Sequence, residues 1–147
     1  MLDRSPLAPD RFPEIPTIAG VMLAGQHVGL KRSRGVKDLM VVQLAPGTTV
    51  AGVFTRSRCP SAPVDWCRAV LPGGEIQAIV VNSGNANVFT GNAGDAVVAE
   101  TVQAAAKLLD CPREQVFIAS TGVIGVPVPP GFIAASLPGI VRELKPN

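Results

Sequence analysis

The sequence has no tyrosine, one tryptophan and one histidine, and aromatic residues make up only 4% of it. With so few rings to stack on bases and a formal charge of only +2, nucleic acid is not an expected partner. The cysteines Cys59, Cys67 and Cys111 are odd in number and lack a C-x-x-C spacing, so neither a disulfide framework nor a metal site is expected, and a reducing cytoplasm fits. Charged residues are few, at 16%. They still interrupt the chain before any apolar run reaches the ~18 residues of a membrane span, so no membrane is expected. The first residues carry Asp3, Arg4 and Asp10 among prolines, which is neither a signal-peptide core nor an Arg-rich transit pattern. A phosphate loop of either common form is missing, as is a G-x-S-x-G elbow, so no resident cofactor is expected. His27 has no acid or nucleophile near it in sequence and reads as a structural or exposed residue rather than a general base.

What is present is an apolar chain of one-domain size. Its 147 residues are 47% hydrophobic, enough to bury roughly two thirds of the unfolded surface. That apolar excess implies a surface covered by another chain or by a missing part of the same one, or else a core of small residues. Prolines 6, 9, 13 and 16 make residues 1–16 an extended arm. Residues 17–147 form the remaining unit. A strand carrying Gly20, Gly25 and Gly29 is predicted first, then a hairpin of strands 38–44 and 48–54 around Ala45-Pro46-Gly47. The basic run Lys31-Arg32-Ser33-Arg34 with Lys37 reads as a solvated turn or an anion contact. Residues 64–71 are predicted as a strand edge passing into a short helix. Residues 75–81 are apolar at nearly every position and predict a strand covered on both faces.

Residues 93–110 give the strongest helix signal, with Val98, Val102, Ala105 and Leu109 on one face and Glu100, Gln103 and Lys107 turned away. Residues 133–144 show helical spacing interrupted by Pro138-Gly139. Strands joined both by a turn and by a helix crossover predict an α/β fold, a mixed sheet with covering helices.

Two stretches at strand ends carry the chemistry. Asn82-Ser83-Gly84-Asn85-Ala86-Asn87 is either a structural corner or a loop that holds a substrate, because Asn tolerates left-handed backbone and bonds its own chain. In Ser120-Thr121-Gly122-Val123-Ile124-Gly125, an apolar strand runs into a hydroxyl and a glycine. Thr121 and Gly122 are either an ordinary strand-ending turn or a pair that aims an O–H and an unobstructed N–H at one oxygen, which is the geometry of an oxyanion hole.

Together with Gly29-Leu30-Lys31, Lys37-Asp38-Leu39, Gly52-Val53-Phe54-Thr55, Ala62-Pro63-Val64 and Thr90-Gly91, these stretches resemble the N-terminal part of the ornithine acetyltransferase family. The resemblance implies an α/β/β/α layered sandwich of the self-processing acyltransferase type. It also implies transfer of acetyl from N-acetylornithine, or in some members from acetyl-CoA as substrate, to glutamate. In the family a precursor cleaves itself before a threonine, which becomes the N-terminal nucleophile of the β chain, and Thr121 and Gly122 match the oxyanion-hole pair. The expected partners are that C-terminal β chain, in a heterotetramer of two α and two β chains, and small-molecule substrates. No cleavage site follows Asn147, so this chain is expected to lack the nucleophile. A different class of reading is a non-catalytic small-ligand or subunit-binding module of the same fold.

Overall fold

The computed structural model describes residues 5–11, 13–33 and 35–146. Four strands, β1 (Val21–Gln26), β2 (Leu39–Leu44), β3 (Ala78–Asn85) and β4 (Val116–Val123), form one sheet in the order β1-β2-β3-β4. The first two pairings are antiparallel and β3 pairs with β4 in parallel. The mixed sheet expected from the sequence is therefore present. Its parallel pair is joined by a crossover through α2 (Gly91–Leu109), as parallel strands require.

The register aligns Ala24, Val41, Val80 and Ile118 in one row. That row meets Val98, Val102 and Ala105 of α2 and Ile133, Leu137 and Ile140 of α3 (Phe132–Val141) to make the main core. The next row, Leu23, Val42, Ile79 and Phe117, faces the other way. There Leu23, Val42 and Ile79 stay half-buried and Met40 is exposed, so the chain supplies one helix layer and one sheet layer. Residues 75–81 thus differ from expectation. The strand starts later, continues to Asn85, and is fully covered on one face only.

The expected hairpin does not form. After the turn at Ala45, residues 48–54 leave the sheet because β2 already has a strand on each side. They are held by a bridge from Thr49 to Glu75, by the Val50 N–H on the Gly74 carbonyl and by the Ile76 N–H on the Thr48 carbonyl, with Val50 and Phe54 packed against Cys67, Ile76 and Phe117. The predicted strand edge at residues 64–71 is also helix throughout. Ser61 caps α1 (Ala62–Val70) by accepting from the Val64 N–H, and Pro63 sits in the first turn, where its missing N–H costs nothing.

Helix α1 lies along β4. Trp66 Nε1 donates to the Val116 carbonyl at 2.9 Å, Cys67 Sγ donates to the Ile118 carbonyl at 3.2 Å, and the Ile118 N–H donates to that sulfur at 3.3 Å. Burial pushes the Cys67 thiol up, despite the Ile118 N–H bond, which keeps the S–H available as a donor.

Helix α3 runs through Pro138 instead of stopping there. Its Ile133, Leu137 and Ile140 are all buried. At about 1.5–3 kcal/mol for each such side chain, burial exceeds the ~3 kcal/mol of an interior proline. No helix among the described residues is long and apolar enough to cross a membrane.

Candidate functional site

The two chemistry-bearing stretches come together because β3 and β4 are neighbours. Asn82 lies opposite Ser120, Ser83 opposite Thr121 and Gly84 opposite Gly122. The ladder then loses register at Gly84 and Asn85, an irregularity of the kind that re-aims side chains at strand ends. Both glycines are required here. Gly122 has φ +132°, and a Cβ on it would stand 2.4 Å from the Gly84 carbonyl carbon and 2.6 Å from the Asn85 nitrogen. Gly84 has φ +110°, and its Cβ would meet the Leu30 carbonyl oxygen at 2.7 Å. Three backbones are thus packed edge to edge where only glycine fits.

The asparagine stretch resolves as a structural corner. Asn82, Asn85 and Asn87 are buried, and their amides are used within the chain. Asn82 donates to the Asn85 carbonyl at 2.9 Å and accepts from Ser120 Oγ at 2.5 Å. Asn85 donates to the Val126 carbonyl and accepts from the Asn87 N–H. Asn87, in left-handed backbone at φ 50°, donates to the Gly94 carbonyl at 3.0 Å and accepts from Thr90 Oγ1 at 2.7 Å. This last bond draws the Thr90 hydroxyl away from the first amides of α2, so the helix has no side-chain cap there.

Thr121 and Gly122, by contrast, are exposed. Among the described residues the Thr121 hydroxyl has no hydrogen-bond partner in the chain. Val123, Ile124 and Val126 follow, all more than half exposed. An unpartnered hydroxyl beside an exposed glycine on a rigid strand end can take an oxyanion.

Sequence reasoning missed Asp38. Its carboxylate is buried and accepts from the N–H groups of Val28 at 2.6 Å, Lys31 at 2.9 Å and Gly29 at 3.2 Å. His27 Nδ1 lies 3.1 Å from it and 3.0 Å from the Val36 carbonyl, which gives the sole histidine a bracing role. Burial alone pushes the Asp38 carboxyl up, but the Val28 and Lys31 N–H bonds, with His27 and Gly29, outweigh it and hold it below the ordinary value. The anchored loop is what presses Leu30 against Gly84. The only signal in the sequence is the spacing of Gly29-Leu30-Lys31 from Lys37-Asp38. Arg34 of the basic run lies outside the described residues.

A solved ornithine acetyltransferase from Mycobacterium tuberculosis, complexed with ornithine, superposes with a TM-score of 0.81 at 37% identity, over 86% of this chain and 68% of that one. A solved arginine biosynthesis bifunctional protein argJ from Bacillus halodurans gives 0.77 at 32% identity, over 88% and 65%. The fold is therefore that of the ornithine acetyltransferases. Residues 22–147 match the ArgJ family, and the chain belongs to it. Among curated relatives, the arginine biosynthesis bifunctional protein ArgJ of Bradyrhizobium diazoefficiens is 53% identical over 124 residues, 84% of this chain and 30% of that protein. Its namesake in Mesorhizobium japonicum is 48% identical over 143 residues, 97% and 34%. The chain spans about a third of the length of these relatives, at their N-terminal part.

Proposed function

We propose that this chain supplies the oxyanion hole of an acetyltransferase of arginine biosynthesis that moves acetyl from N-acetylornithine to glutamate. The Thr121 hydroxyl and Gly122 N–H donate to the carbonyl oxygen as it becomes an oxyanion. The attacking hydroxyl belongs to a threonine at the N-terminus of a C-terminal β chain, and that threonine's own α-amine takes its proton. The addition intermediate collapses with departure of the ornithine amine, leaving acetyl on the threonine, and the glutamate amine then takes the acetyl by the same steps. Acetyl-CoA fits the same chemistry as an alternative donor. The working assembly is two α and two β chains in the cytoplasm.

The observation that carries this reading is the unpartnered Thr121 hydroxyl beside Gly122, in a chain whose relatives are named for arginine biosynthesis. The test is an acetyl-transfer assay on this chain alone and then mixed with a C-terminal chain beginning at the threonine. Activity is expected only in the mixture, and Thr121→Ala lowers kcat about 10²- to 10³-fold. A stable complex with no transfer would instead favour a non-catalytic module of the same fold.

A further inference from the structure

A cavity of about 400 Å³ opens beside the strand ends, between residues 29–32, Gly84 and Asn85, and the segment 123–129 that leads to Phe132. Its walls are mainly apolar, from Leu30, Val123, Val126, Val128 and Phe132, and among the described lining residues Arg32 is the one charged side chain. Arg32 makes no ion pair within the described chain. Two other arginines are committed: Arg68 to Asp65 at 2.9 Å and to the Phe54 ring, Arg113 to Glu114 at 3.4 Å and to the Trp66 ring. The acid nearest in sequence, Asp38, is occupied by three N–H groups and His27. That anchoring fixes the backbone next to Arg32, so the arginine leaves the loop at a defined place on the rim.

We propose that this groove binds a small molecule with an apolar body and one oxyanion, a carboxylate or a phosphate, held by Arg32. An apolar cleft with a single cation on its rim selects for that combination, because the guanidinium gives a charge-assisted, two-pronged contact while the walls take the remainder. The groove lies against Val123, the residue that follows Gly122, so its occupant would approach the exposed hydroxyl from the side of residues 29–32. The inference rests on the groove itself and stands whether or not the chain takes part in acetyl transfer.

The test is calorimetric titration of the full chain, alone and with the C-terminal chain, using N-acetyl-L-leucine, its neutral carboxamide and butyl phosphate. At least one anionic probe binds, and the carboxamide binds at least about tenfold more weakly than the acid where the acid is the ligand. Arg32→Gln weakens the anion about tenfold or more, and Arg32→Lys by less. Val126→Trp, at an exposed wall position, blocks the groove. Preference for N-acetyl-L-leucine identifies a carboxylate and preference for butyl phosphate a phosphate. Absence of binding by both anions, or an affinity that Arg32→Gln does not change, overturns the proposal. Loss of transfer with Arg32-dependent binding intact would count against the proposed function only.

Discussion

The ends of β3 and β4 lie side by side, and both are rich in small polar residues, yet they use them in opposite ways. At the end of β3, Asn82, Asn85 and Asn87 are buried with their amides bonded to backbone and neighbouring hydroxyls. At the end of β4, Thr121 is exposed and its hydroxyl has no partner among the described residues. A polar cluster at a strand end is therefore not itself a site. It becomes one where a neighbouring cluster has already satisfied the backbone around it, so that one group can be left for a ligand at no cost to the fold.

The comparison can be strained hardest at the glycine joining the two ends. Gly122→Ala places a Cβ 2.4 Å from the Gly84 carbonyl carbon at φ +132°, and the summed strain and overpacking lower unfolding free energy by about 3–5 kcal/mol in urea titration. Next comes Asn87→Ala, which removes the partner of the Gly94 carbonyl and the Thr90 hydroxyl and costs about 2–4 kcal/mol by the same measurement.

Asp38→Asn carries the pattern of satisfied polar groups into the 27–38 loop, with a loss of about 1.5–3 kcal/mol at pH 7. Its pH dependence has a definite sign. The folded carboxyl is held below its ordinary value, so its contribution is complete above about pH 4 and is lost as pH falls through the folded value. Melting curves of wild type and variant should therefore converge on acidification. The smallest stability effect belongs to Thr121→Ala, within about 0.5 kcal/mol of wild type because none of the described residues bonds its hydroxyl. A loss there as large as that of Asn87→Ala would erase the distinction between the two strand ends.

These contrasts also mark what the sequence alone could convey. Helix α2 and strands β1, β2 and β4 were legible because their apolar periodicity is local, and Thr121 with Gly122 stood out as a hydroxyl and a glycine after an apolar run. The hairpin at residues 48–54 failed because whether β2 has a free edge depends on β3, more than 30 residues later. The start of helix α1 is carried by Ser61 and Pro63, a signal stronger than the ambiguous period that follows. In α3, three buried side chains prevailed over Pro138, and burial is not visible in a window of sequence. The need for glycine at 122 depends on Gly84 across the sheet, and the role of Asp38 on three amides that the loop brings back to it. Neither is a local property.

The indole of Trp66 and the thiol of Cys67, bonded to Val116 and Ile118, give the sheet a direction. Along that length β4 has no carbonyl or amide left to offer a further strand, so its margin is hemmed by side chains from a helix. At the opposite margin, Leu23 of β1 exchanges backbone bonds with Lys145. Along residues 116–118, therefore, no further strand can join the sheet beside β4.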